Sequence, residues 1–334
     1  MDQEYTQQLS KIEQELERWL PADPDMIWAE KIFTAIGKKA DEASLRFLTT
    51  PLRELVFRGG KRWRPLLMTL VCESLGGGDN AVPLAPVVEF SHNASLIHDD
   101  IEDESDTRRG KPAIHKIYGV DTAINSASFF YFLASACIDN FSFQNKELIY
   151  KKWLECMRRL HLGQAMDINW HRNVSIVPEI EDYYLMCRMK TGSLARLAAE
   201  LGAFSAGANE ETAAALGEAA DLLGVGFQIL DDVKNLTTGI PGKRRGDDVV
   251  EGKKGLPVLL YMHKYPEKKE SIFYSFHVAK REGASAPEVG ELIDVLNAAG
   301  VFPEAEEKGR FFINEAKKTL SSYAALDGFL KLIS

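Results

Sequence analysis

The sequence predicts an all-α protein of a dozen or so helices, on three observations. Apolar residues recur at spacings of three and four along most of the chain. The interruptions carry Gly, Pro or Asn. Alternating, β-branched-rich segments bounded by hairpin turns are missing. Residues 3–20 place Leu9, Ile12, Leu16 and Leu20 on one face, and "PADPD" at 21–25 ends that helix. Helical spacing returns at 26–38, 41–57 and 63–75, where Pro65 suits a first turn, and stops at "GGGDN" (76–80). It resumes at 82–104, halts at "RRGKP" (108–112), and continues through 121–141, 145–170, 179–190, 192–206 and 210–235. Beyond "GIPGKRRGDD" (239–248) follow 255–264, 267–281, 287–299 and 303–320. No shift of composition marks a boundary, so 1–334 reads as a single domain.

Hydrophobic residues make up 45% of the 334 and charged residues 27%, an ordinary soluble composition. A chain this long buries a core without disulfide or zinc staples. The net charge of −9 argues against a nucleic-acid partner but leaves room for a locally basic pocket. Cys72, Cys137, Cys156 and Cys187 form no C-x-x-C pair and read as buried thiols in a reducing compartment. The N-terminus carries acids throughout and has no apolar h-region, unlike a secretory signal. No run approaches 18 apolar residues, so no membrane insertion is expected, and the expected location is the cytoplasm.

The chemistry lies in two echoing segments, "LIHDDIED" (96–103) and "FQILDDVKN" (227–235). Each places an Asp pair after a largely apolar run, with an oxygen-bearing side chain three positions past the second Asp. On a helix, Asp99 and Asp103 share a face, as do Asp231 and Asn235. Carboxylates drawn toward a core are costly unless compensated. Hard oxygen donors suit Mg²⁺, which typically takes one or two carboxylates together with substrate phosphates. Two such patches facing one cavity would grip a diphosphate. Cations accompany them: Lys61, Arg62 and Arg64 in "GGKRWRP", then Arg108, Arg109, Lys190, Lys243 and Lys253. Guanidinium groups bind phosphate oxygens bidentately, and ammonium groups act as point charges.

These residues resemble the trans-polyprenyl (isoprenyl) diphosphate synthases. "DDIED" looks like that family's first DDxxD motif, and "FQILDD" like the run into the second. "GGKRWRP", "EFSHNASLIHDD", "RRGKP", "KTG" and "GDDVVEGKKGLP" resemble its remaining signatures, with order and spacing kept from about residue 55 to 260. The resemblance implies an isoprenoid synthase fold, helices around a central cavity, and a homodimer. It implies head-to-tail (1′–4) condensation of isopentenyl diphosphate with an allylic diphosphate.

By that likeness, Asp99, Asp100, Asp103, Asp231, Asp232 and Asn235 would hold Mg²⁺. Arg108, Lys190, Lys243 and Lys253 would bind the allylic diphosphate, and Lys61, Arg64, His92 and Arg109 isopentenyl diphosphate. Thr191 and Gln228 would stand beside the reacting carbons, where their dipoles stabilise a carbocation. Two positions depart from the family pattern. Asn235 replaces a third Asp, and Gly255 replaces a Thr.

Ala94 and Ser95 are small where farnesyl synthases of the family carry aromatic side chains. "HNASLIHDDIED", "YGVDTAINSASFFYF" and "LHLGQAMDINW" look most like the eukaryotic-type geranylgeranyl synthases. A floor of Tyr131, Phe132 and His161 would then stop growth at twenty carbons. The competing readings are a farnesyl or longer-chain synthase and a terpene cyclase. Asp231–Asp232 and "GGKRWRP" argue against the cyclase.

Overall fold

A computed structural model describes residues 5–33, 40–141, 146–239 and 244–332. Among them the fold is all-α, as expected, and it divides into two compact units. The first comprises residues up to Leu154, Leu197–Leu216 and the chain from Tyr323 on; the second comprises Glu155–Arg196 and Gly217–Ser322.

In the first unit Thr6–Trp19, Glu42–Val56, Trp63–Ser74, Ala85–Glu102 and Val120–Asp139 are the principal helices. Ile12, Leu16, Leu52, Leu55, Leu66, Leu67, Phe90 and Phe130 are fully buried between them. Ala85–Glu102 and Val120–Asp139 pack along each other, with Phe90 and Phe130 stacked at 4.5 Å. Trp153 donates its indole N–H to Ser91 Oγ at 3.1 Å, fastening the start of helix Lys146–Arg172 to Ala85–Glu102. The break at "RRGKP" is a two-residue antiparallel ladder, Thr107–Arg108 against Lys111–Pro112. Arg109 (φ 54°) and Gly110 (φ 74°) both take the left-handed backbone that so tight a turn requires. Two residues per strand are too few to carry an alternating pattern, so the ladder is silent in the sequence. The C-terminal helix Asp327–Leu332 also goes beyond the expected elements. Leu326 and Phe329 bury themselves there.

The second unit is built on the remainder of Lys146–Arg172, the helix Ile180–Cys187 and most of Glu210–Leu236, followed by the helices Leu256–Lys264, Lys269–Glu282, Pro287–Ala298 and Val301–Leu320. Tyr183, Val225, Ile229, Leu256, Leu259, Phe276, Leu296 and Val301 belong to its core. Glu210–Leu236 is apolar and long enough, by composition, to cross a membrane, which a search for unbroken apolar runs overlooks. Its apolar window is 61% buried inside the protein, as a core helix requires.

The expected break near 190 is no break. Ile180–Cys187 runs into Ser193–Ser205 through one π turn, Arg188–Gly192, which holds the "KTG" residues. Such turns widen the helix by one residue and are frequent at functional sites. Packing without side chains accompanies it: a Cβ on Gly224 would lie 2.5 Å from Gly192 Cα. The helix carrying the second Asp pair therefore crosses the π turn backbone to backbone. Gly224→Ala gains roughly 1 kcal/mol of helix propensity, but the atoms it meets are backbone and cannot yield. A net destabilisation of about 1–2 kcal/mol is expected, read as a lower urea midpoint with an unchanged m-value.

Candidate active site

In the first unit, helix Ala85–Glu102 presents His92, Ser95 and Asp99 along one half-buried face, and Asp103 caps its C-terminus. Successive helical residues are rotated by about 100°, so the two members of the Asp pair diverge. Asp99 and Asp103 reach the surface, whereas Asp100 is fully buried. Arg108 returns from the ladder to meet both. Its Nε donates to Asp100 Oδ1 at 2.8 Å and its Nη2 to Asp99 Oδ2 at 3.3 Å, with a second, shorter contact from Nη2 to Asp100. A buried carboxylate is tolerable on such terms.

The donor set fits Mg²⁺. Carboxylates at a helix C-terminus meet the negative end of its dipole, so a cation there is favourable, and Arg108 contacts two of them. Among the described residues no group of three His, Cys, Asp or Glu could hold a metal unaided. Mg²⁺ typically takes one or two carboxylates plus substrate oxygens and water.

Two turns before Asp99 lies a cationic cradle. Arg64 Nη1 is 3.5 Å from His92 Nε2, and its guanidinium also covers the Trp63 ring at 4.4 Å. Arg109 donates to the Leu55 carbonyl at 2.9 Å, and Lys61 is exposed. Burial and then the charges of Arg64, Arg109, Arg108 and Arg62 hold His92 well below the ordinary value of 6.5. Arg62, between Lys61 and Arg64 in sequence, has a different role. It is 4% exposed, pairs with Glu13 at 2.7 Å and Glu89 at 2.8 Å, and donates to the Val56 carbonyl. Its charge is cancelled within the protein. Neither Glu13 nor Glu89 carried a signal in the sequence.

The residues expected to form the floor have different surroundings. Tyr131 stacks parallel on His98, with centroids 5.8 Å apart, and His98 is itself held by the Ala94 carbonyl at 3.1 Å and Ser128 Oγ at 3.5 Å. Ala94 is buried, and Ser95 turns its hydroxyl back to the His92 carbonyl at 2.8 Å. Phe132 is 68% exposed, and His161, in the second unit, is exposed too. Within one chain neither is enclosed.

In the second unit the π turn brings its residues to helix Glu210–Leu236. Thr191 Oγ1 donates to Gln228 Oε1 at 2.8 Å, and Gln228 Nε2 donates to Asp232 Oδ1 at 2.9 Å. Asp232 Oδ2 accepts from Tyr183 O–H at 2.6 Å and from the Leu256 N–H at 3.1 Å. Burial pushes Asp232 up to about 6 despite these three donors. Here too the pair diverges: Asp231 is exposed and Asp232 is 6% exposed. Asn235 is 1% exposed, and its side-chain oxygen accepts the Asp248 N–H at 3.2 Å, so it braces the following loop. Lys190 pairs with Asp167 at 2.6 Å, and Lys253 with Glu251 at 2.6 Å. Lys243 lies outside the described residues. Asp167 was not among the expected site residues; its signal was an acid on the buried side of a long helix, between Gly163 and Trp170. Lys254, 4% exposed, donates to the Trp170 carbonyl near the end of that helix and is pushed down to about 8 by burial.

His92 gives a direct test by pH. A base with a depressed folded-state pKa adds stability that is complete above about 6.5 and is lost as pH falls toward the folded value. By ¹⁵N-resolved NMR, the His92 imidazole should titrate below an ordinary histidine, and added inorganic diphosphate should raise its pKa. Arg108→Met takes a cationic partner from buried Asp100 and should cost about 3–5 kcal/mol in chemical denaturation.

A sequence model of the family described as Polyprenyl synthetase matches residues 45–293. A geranylfarnesyl diphosphate synthase of Aeropyrum pernix is 32% identical over 283 residues, spanning 82% of this chain and 86% of its own length. A geranylgeranyl pyrophosphate synthase of Penicillium crustosum is also 32% identical, over 286 residues, with 85% and 80% covered. The solved geranylgeranyl pyrophosphate synthetase of Pyrococcus horikoshii superposes with a TM-score of 0.81 at 28% identity, covering 98% of this chain and 95% of that one. With its acidic helix ends, its cationic cradle and a match through most of its length, the chain belongs to the polyprenyl synthetase family.

Proposed function

We propose that this protein is a Mg²⁺-dependent trans-prenyltransferase that condenses isopentenyl diphosphate with allylic diphosphates and releases geranylgeranyl diphosphate. The observation that carries this reading is the arrangement on helix Ala85–Glu102. The His92 cradle and the Asp99–Asp103 pair share a face, seven residues or about 10 Å apart. That spacing offers one anion site and one metal-fitting site on a single helix, as a reaction between two diphosphate esters needs. The twenty-carbon product is supported by the name of the Penicillium crustosum relative, a geranylgeranyl pyrophosphate synthase, while the Aeropyrum pernix relative is a geranylfarnesyl diphosphate synthase. The family match runs through both units, which supports treating 1–334 as one catalytic domain.

In the proposed reaction Lys61, Arg64, Arg109 and neutral His92 hold isopentenyl diphosphate. Asp99 and Asp103 would hold Mg²⁺ in the first unit, and Asp231 would do so in the second. The bound ion would offset charge on the departing diphosphate. Arg108, Lys190 and Lys253 supply further positive charge to that group. The allylic C–O bond breaks, the double bond of isopentenyl diphosphate attacks the allylic carbon, and a proton passes to the released diphosphate. Thr191 and Gln228 face the positive carbon with oxygen dipoles.

Ala94 and Ser95 leave the first turns below Asp99 without bulk, so growth past fifteen carbons is open, and Tyr131, braced by His98, limits it. We also propose a homodimer. Val120, Ile124 and Phe132 form an exposed apolar stripe on Val120–Asp139 that a second copy would cover. Buried free thiols at all four cysteines accord with a reducing, cytoplasmic setting.

Incubation with Mg²⁺, isopentenyl diphosphate and farnesyl diphosphate, followed by chromatography of the dephosphorylated products, should yield a C20 alcohol. Products no longer than C15, or mainly C25 and beyond, would overturn the length, and no consumption of isopentenyl diphosphate would overturn the activity. Tyr131→Ala should lengthen the products, and unchanged products would remove Tyr131 from the floor.

A further inference from the structure

We infer that Asp232 is a positioning residue rather than a metal ligand: it fixes which end of the Gln228 amide faces Thr191, and so gives the wall beside the reacting carbon its negative polarity. The inference rests on the prenyltransferase reading. It follows from how the donors are distributed. Asp232 Oδ2 is shared by two donors, the Tyr183 hydroxyl and the Leu256 N–H, and Oδ1 takes the Gln228 amide nitrogen. Both carboxylate oxygens are therefore engaged from within the protein, on a side chain that is 6% exposed.

An amide can be placed either way round until its partners decide. Gln228 Nε2 must face the carboxylate, because a carboxylate only accepts. Oε1 then faces Thr191, whose hydroxyl spends its one proton on it at 2.8 Å. The two half-buried groups consequently present oxygen lone pairs to the open side, where positive charge develops. Turned round, the same amide would present N–H donors and oppose that charge.

Gly255 is what admits the arrangement. Its backbone (φ −60°, ψ 165°) is open to any residue, so conformation does not demand glycine. A Cβ there would lie 2.7 Å from Asp232 Oδ2 and 2.9 Å from its Cγ. Only without that carbon does the start of helix Leu256–Lys264 come close enough for the Leu256 N–H to reach the carboxylate.

Asp232→Asn is nearly isosteric and tests the polarity. Two donors still demand an oxygen at one end, so the new NH₂ must face Gln228 and force its amide to turn. In the full-length protein kcat should fall on the order of 100-fold, with both KM values within about threefold by the same reasoning. Calorimetric binding of Mg²⁺ with inorganic diphosphate should match wild type, whereas Asp231→Asn should weaken it. Adding Gln228→Glu to Asp232→Asn places an oxygen at both ends again and should recover at least tenfold in kcat. Gly255→Ala, which leaves every polar group in place, should reproduce the fall in kcat alone.

Loss of Mg²⁺–diphosphate binding in Asp232→Asn comparable with that in Asp231→Asn would make Asp232 a ligand and overturn the inference. So would a double variant no faster than Asp232→Asn. If Asp232→Asn does not fold, Gly255→Ala at wild-type kcat overturns it equally. A wild-type protein that binds Mg²⁺–diphosphate but turns over no isopentenyl diphosphate would instead sink the functional reading, and the calorimetry would still decide the place of Asp232.

Discussion

Everything near the candidate site depends on the second aspartate of each pair being inside the protein. Adjacent helical residues cannot face the same way, so an Asp–Asp pair at a core boundary sends one carboxylate out and the other in. The inward one must be compensated, and the two units do so differently. Asp100 is met by the guanidinium of Arg108, a charged partner. Asp232 is met by three neutral donors, and burial still pushes it up to about 6. Each solution has a structural consequence. The Arg108 contact requires the chain to turn back sharply after the helix, where Glu104 takes a left-handed backbone (φ 56°). The neutral solution draws in Tyr183, Gln228 and the start of helix Leu256–Lys264 around a single carboxylate.

A related separation orders the cations. Arg62 and Arg64 flank one tryptophan in sequence, yet Arg62 is neutralised by Glu13 and Glu89 while Arg64 lies against His92. Arg62 ties the first helix, the Gly-rich turn and helix Ala85–Glu102 together. The rigidity it confers keeps Arg64 and Arg109 beside a histidine that cannot readily take a proton. An imidazole whose protonation is disfavoured by burial and by the neighbouring Arg64 and Arg109 suits an anion, whose charge would offset theirs.

In the second unit the same economy of space is reached by removing side chains. Gly192 and Gly224 let two helices touch, and the π turn at Arg188–Gly192 turns Lys190 and Thr191 toward their partners. Lys190 then reaches Asp167 and Thr191 reaches Gln228. Position, more than residue type, makes these side chains a site.

The helices, their order and the sites' chemical alphabet were legible in the sequence, because amphipathic periodicity and the pairing of acids with nearby cations are local properties. The Asp pairs stand out by their spacing, and the "GGKRWRP" turn and the KTG segment by their resemblance to the family's motifs. Which member of each pair faces inward was not, since that depends on whether Arg108 or Tyr183 arrives from elsewhere in the chain. For the same reason Arg62 could not be told from Arg64, Asp167 went unnoticed, and Phe132 and His161 could not be seen to face outward. Side-chain direction is decided by long-range packing, and a π turn exists only because neighbouring helices stabilise it. The sequence by itself determined an all-α fold with two acidic helix ends and a set of cations. The tertiary structure alone decided which of those charges are cancelled inside the protein and which are left to meet a ligand.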